Sequence, residues 1–262
     1  MPNQNPKKRV QPKALLHSLL RALVLVDGIK GGTGKSLFTK VLIEFFRDSS
    51  IEISVGECDR DSPDVARAYE SLVGQGIKEV IFAYFSEDPT KRAKADPLFN
   101  HATNNIVVAN LPAQSPQFAY SWLIGDRLYE LANEQDITLV HFFVSNGSYA
   151  SVNLFQKTLS ALGPYIPYLV LVRNQGLCDD WSVLDENREI QGAIAKHKVQ
   201  VIDLPRVPHR ENYFLDQHQL AFYQGLKHPD LTIPERGRLN QFLQKAFEQI
   251  RKVESYDGRS SQ

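Results

Sequence analysis

The 262-residue sequence has little cysteine, no net charge and no long apolar run. Cys58 and Cys178 are its only cysteines, too few for a disulfide framework or a cysteine-rich metal site, and such usage suits a reducing compartment. Thirty Lys plus Arg balance thirty Asp plus Glu, so no whole-molecule field draws in nucleic acid or an anionic membrane. Any basic partner surface must be local. The longest uncharged apolar run beyond the amino-terminal region, Ile137 to Val144, falls far short of the roughly 18 residues of a membrane span. His17, His101, His141, His197, His209, His218 and His228 are dispersed and show no close metal-ligand spacing.

Met1 to Val26 lacks acidic residues, and Lys7, Lys8, Arg9 and Lys13 precede the apolar stretch Ala14 to Leu20. His17 and Arg21 interrupt that stretch and no small-residue cleavage site follows, so it reads as a basic arm leading into a short helix, not an export signal. A cytoplasmic location follows from these readings. With 42% hydrophobic residues the chain can build a sizeable core. We expect one domain over 22–254, preceded by the basic arm and short helix (1–21) and followed by a polar tail (255–262).

Seven short apolar runs alternate with segments of helical period: Ala22 to Val26, Ile51 to Val55, Glu79 to Phe85, Ile106 to Val108, Ile137 to Val144, Tyr168 to Val172 and Val199 to Ile202. Continuous apolar strands are buried on both faces, which predicts a doubly wound α/β fold with a mostly parallel sheet flanked by helices. Ser62-Pro63 and Ser115-Pro116 each offer a hydroxyl N-cap followed by Pro at the first helical position. Gly74 to Gly76 and Asp88 to Pro97 read as loops. Leu239, Phe242, Leu243, Ala246, Phe247, Ile250 and Val253 form one stripe of a 3.6-residue period, the core face of a final helix.

The strongest chemical signal is Asp27-Gly28-Ile29-Lys30-Gly31-Gly32-Thr33-Gly34-Lys35-Ser36, between the first buried strand and the helical run Leu37 to Phe46. Glycines let successive backbone N–H groups converge, and the following helix adds its positive dipole end, so main chain holds a polyphosphate. Lys35 would reach the β and γ phosphates and Ser36 would place its hydroxyl on Mg²⁺. Gly31, Gly32, Thr33 and Gly34 complete the cradle. Ile29 occupies the first glycine position of the common G-x-x-x-x-G-K-[ST] form, and a second lysine, Lys30, precedes the glycine pair.

That arrangement resembles the deviant Walker A loop, K-G-G-x-G-K-[ST], of the ParA and MinD superfamily of P-loop partition and positioning ATPases. The resemblance implies ATP and Mg²⁺ as ligands, a homodimer sandwiching nucleotide, and a partner-stimulated hydrolysis, which Asn110 in place of a metal-binding Asp would make slow. It assigns Lys30 to the phosphates of the opposite subunit. Asp59-Arg60-Asp61 is similar to the family's D-x-D motif, in which Asp61 orients the attacking water and Asp59 lies near the Mg²⁺ shell; a polar turn capping the next helix would use the same residues. Ile106 to Ala113 resembles the Walker B strand, but Asn110 stands where Asp is expected, and an amide ligates Mg²⁺ or its waters more weakly. Leu111 to Gln114 would sense the γ phosphate. Asn174 matches the family's adenine-binding Asn, and Pro205, within Leu204 to Pro208, matches the loop that covers the base.

Within that family the switch can act on nonspecific DNA in partition, maintenance or mobilisation. Arg238, Lys245 and Lys252 recur along the final helix, with Arg236 and Arg251 nearby; they suit either phosphate contacts, aided by the basic arm, or a solvated face. The polar residues after Val253 disfavour membrane attachment. A small-molecule-activating enzyme of dethiobiotin-synthetase type and a weakly hydrolysing nucleotide-binding scaffold are the alternatives. Two suitably placed cysteines for a bridging cluster are not evident.

Overall fold

The computed structural model describes residues 15–29, 32–86, 88–112 and 116–253. Seven strands form one sheet: β1 (Ala22–Gly28), β2 (Ile53–Glu57), β3 (Ile77–Phe82), β4 (Ile106–Asn110), β5 (Thr138–Ser145), β6 (Tyr168–Asn174) and β7 (Gln200–Leu204). Their order is β3-β2-β4-β1-β5-β6-β7, and every pairing is parallel. All seven apolar runs became strands, displaced at their ends by a few residues. Central β1 is buried throughout, as a strand covered on both faces must be.

The helices are α1 (Lys35–Asp48), α2 (Asp64–Tyr69), α3 (Asp96–Ala102), α4 (Pro116–Tyr120), α5 (Leu128–Glu134), α6 (Tyr149–Leu162), α7 (Ser182–Asp185), α8 (Arg188–Lys196), α9 (His209–Gln217), α10 (Phe222–Gly225) and α11 (Ile233–Ile250). Alternate strand residues divide the core in two. Ala22, Val24 and Val26 pack with α1, α2, α10 and α11; Leu23 and Leu25 pack with α3, α4, α5 and α6. The whole stripe on α11, with Val253 just beyond it, is buried, each large side chain contributing about 1.5–3 kcal/mol. Leu15, Leu16 and Leu19 also join this core, and the Leu15 N–H donates to the Val253 carbonyl. The remainder of the basic arm and the polar tail lie outside the described residues.

Two local expectations are corrected. Ser62 does not cap α2: Pro63 stands at the N-cap with no side-chain cap of its own, and the Glu57 carboxylate instead accepts the Val65 and Ala66 N–H groups. A buried acid at the strand end satisfies these donors better than a solvated hydroxyl. The stretch Asp88 to Pro97 is not irregular: Asp88 caps a 3-10 helix over Pro89–Ala95, and Asp96 and Pro97 open α3. Ser115 lies outside the described residues, while Pro116 does begin α4. No helix of the described residues is long and apolar enough to cross a membrane.

Candidate functional site

The carboxyl edges of β1, β2, β4 and β6 gather most of the residues singled out above. Parallel sheets bind ligands at this edge. Gly28 ends β1 where a Cβ would meet the Val144 carbonyl oxygen at 2.5 Å. Gly32 and Gly34 have positive φ, at 71° and 93°, which only glycine adopts at little cost. Gly34 is also the N-cap of α1, without a side-chain cap, so the first N–H groups of α1 keep their capacity for an anion. Thr33 and Lys35 are buried and Ser36 is half-buried. Burial pushes the Lys35 ammonium below its ordinary value, while the charges of Asp27 and Asp59 pull it back up. A desolvated cation in this position gains most from an anionic ligand. Lys30 and Gly31 lie outside the described residues, as do Ala113 and Gln114 of the sensing segment.

Asn174 reaches this loop from the end of β6. Its Nδ2 donates to the Thr33 carbonyl at 2.8 Å, and a Cβ on Gly34 would meet that nitrogen at 2.4 Å. Its Oδ1 accepts the Gly176 N–H. The side chain thus braces the phosphate loop, and reading adenine would require this brace to open or share its amide. Pro205 lies one residue past β7, whose Leu204 is in register with Asn174.

Acidic residues cluster at the end of β2, with a member the spacing argument passed over. Asp59 is half-buried and its Oδ1 accepts the N–H groups of Asp61 and Ser62. Asp61 is exposed, four residues past the strand end. Glu57 is buried beneath them, and desolvation pushes its carboxyl above the usual range against hydrogen bonds from Asp59, Asn110, Ala66 and Val65. Its Oε1 accepts Asn110 Nδ2 at 3.0 Å. Asn110 Oδ1 in turn accepts the Thr39 hydroxyl of α1 at 3.4 Å. Asn110 thus lies buried between a carboxylate and the phosphate-loop helix, where the Thr39 hydroxyl also donates to the Lys35 carbonyl at 2.9 Å. The register Glu57↔Asn110 of paired β2 and β4 places them together, a neighbourhood that local spacing does not contain.

Among the described residues no group of three His, Cys, Asp or Glu side chains could hold a metal ion. A Mg²⁺ carried in by phosphates would need only one or two protein ligands. Ser36 and Asp59 are the residues at this edge suited to it.

A MinC:MinD cell division complex from Aquifex aeolicus matches the fold with TM-score 0.51, over 85% of this chain and 94% of that one, at 10% identity. The chain has the fold of the ParA/MinD superfamily. The cell division ATPase MinD of Pyrococcus furiosus aligns over 87% of this chain and 99% of its own at TM-score 0.46 and 15% identity. In sequence, protein MobD of Acidithiobacillus ferrooxidans is 21% identical over 231 residues, 87% of this chain and 96% of its own length. No family model matches the chain. The glycine motif of this chain stands between β1 and α1.

Proposed function

We propose that this protein is a Mg²⁺-dependent ATPase switch of the ParA/MinD kind. The observation that carries the reading is buried Lys35, desolvated at the sheet edge, beside uncapped N–H groups of α1 and a loop braced by Asn174. Gly31 to Gly34 would cradle the triphosphate, Lys35 would neutralise its β and γ oxygens, and Ser36 with Asp59 would face the metal. Bound Mg²⁺ would supply charge neutralisation of the phosphates. Asp61, exposed on the turn, is the group that would orient water. Lys30 would complete the opposite subunit's site in a nucleotide-bound homodimer. The alignment with MobD spans 87% of this chain and 96% of that protein, so the reading is proposed for the chain as a whole.

DNA is the surface we propose for the dimer in partition or mobilisation, but fewer cations serve it than the helical repeat suggested. Arg238 is bound by buried Glu211 and Arg251 approaches Asp48 at 3.8 Å. Lys252 lies past the end of α11 and donates to Gln249 Oε1 at 3.0 Å, so Lys245 and Arg236, together with the amino-terminal arm, are the cations we propose for phosphate contacts. A partner protein that stimulates turnover belongs to the same proposal. The weakly hydrolysing scaffold is favoured by one observation, the neutral Asn110 committed to Glu57 and Thr39.

Steady-state ATP hydrolysis with and without Mg²⁺, combined with light scattering in a nonhydrolysable ATP analogue, tests the reading. Mg²⁺-dependent turnover and ATP-dependent dimerisation are expected. Dimerisation without turnover would select the scaffold. ATP-dependent, salt-sensitive DNA binding is expected, and its absence would remove the DNA role.

A further inference from the structure

A buried polar cluster lies directly behind the phosphate loop, and none of the roles above uses it. Asp27 of β1 is fully buried and faces the layer of α4 and α6. Its Oδ1 accepts the Gly28 N–H at 2.6 Å, and its Oδ2 accepts the hydroxyl of Tyr120, the last residue of α4. That hydroxyl also lies 2.8 Å from Thr158 Oγ1 of α6, whose single proton is shared between the Tyr120 oxygen and the Leu154 carbonyl. On the other side His141 of β5 brings its Nε2 to 3.4 Å from Asp27 Oδ2. This Nε2 is buried without a hydrogen-bond partner. Burying an acid, a phenol, a hydroxyl and an imidazole together is costly unless the group fixes something.

What it fixes follows from its neighbours. Asp27 holds the N–H of Gly28, and Gly28 leaves so little room that a Cβ there would meet Lys35 Cγ at 3.2 Å. Tyr120 belongs to the helix that follows β4, the strand ending at Asn110. We infer that the Tyr120 hydroxyl is a positioning residue that ties α4 to the phosphate loop through Asp27 and Gly28, and so sets the stem of Lys35. A displacement of α4 therefore reaches the phosphate lysine from behind, through the Tyr120–Asp27 and Asp27–Gly28 hydrogen bonds. Burial and the Asp27 charge push the Tyr120 phenol well above its ordinary value, so it remains a donor. This inference rests on the ATPase reading above.

The test uses the full chain. Tyr120→Phe keeps the ring and removes the hydroxyl; a bond to a charged acceptor sets the expected loss of kcat for ATP at about tenfold. The Kd for ADP should change less than about twofold, since main chain holds most of that ligand. Thr158→Val, one bond farther out, should lower kcat less, and Thr158→Ser, which keeps the hydroxyl, should restore it. Unchanged kcat in Tyr120→Phe, or equal losses in kcat and ADP affinity, would overturn the inference. If Tyr120→Phe does not fold, Thr158→Val decides: unchanged kcat there is the refuting result. A wild-type chain that binds no ATP would sink the ATPase reading as well, whereas normal wild-type turnover unmoved by these variants sinks the coupling alone.

Discussion

Replacing Asn110 with Asp would install the carboxylate that the Walker B pattern favours, and the structure predicts that it harms the protein. Asn110 Nδ2 donates to Glu57 Oε1 at 3.0 Å, with both residues almost fully buried. Two carboxylates at that separation repel by about 5 kcal/mol at an effective dielectric near 20. The pair avoids this by sharing a proton, which costs about 1.4 kcal/mol for each pH unit above the ordinary carboxylate value. The loss is therefore about 4 kcal/mol at pH 7 and about 1 kcal/mol at pH 5. Because the shared site has a raised folded-state pKa, stability is retained at low pH and lost as pH rises through that value. For a chain of this size the neutral-pH penalty lowers the melting temperature by about 10 °C. Thermal unfolding of wild type and Asn110→Asp at both pH values measures it. Glu57→Gln combined with Asn110→Asp restores one acid and one amide and should recover most of the loss. Recovery stays incomplete because Glu57 Oε1 also accepts the Asp59 N–H at 3.1 Å. A single variant that melts with wild type at both pH values would refute the buried pairing.

Other consequences are equally direct. Arg238→Ala strips buried Glu211 of its guanidinium and should destabilise the fold by about 1–3 kcal/mol in denaturant titration, whereas Lys245→Ala should leave stability unchanged and act only on DNA binding. Asn174→Ala releases the Thr33 carbonyl and should weaken nucleotide affinity about tenfold by calorimetry, on the scale of one buried hydrogen bond. Because burial lowers the Lys35 value, its charge is lost at a lower pH than an ordinary lysine's. ATP affinity should then begin to fall at a pH below the range where an ordinary lysine loses its charge, and Lys35→Arg, which stays charged throughout, should flatten that profile.

The parallel sheet was legible because continuous apolar runs have few other uses. Seven of them, separated by helical segments, specify a sheet covered on both faces, and the glycines at 32 and 34 announce backbone that other residues avoid. Ser62 misled because the acid that serves α2, Glu57, is separated from it in sequence and reaches the helix only once β2 has formed. Glu57 with Asn110, and Asp27 with Tyr120 and His141, pair across strands or layers, so no local spacing encodes them. The trace of Asp27, Glu57 and Asn110 in the sequence is a polar residue at the end of an apolar run, which strand-end turns also produce, whereas His141 lies mid-strand and Tyr120 in a helix. Asn174 stands out only by its match to the family's adenine-binding Asn, and its hold on Thr33 depends on β6 and the phosphate loop converging.

Calorimetric titration of the purified chain with ATP and Mg²⁺ tests the central claim most directly. Saturable uptake of one ATP per chain, abolished in Lys35→Ala while the variant keeps its fold, is the predicted result. No uptake by the wild-type chain, or uptake undiminished by loss of Lys35, would contradict it.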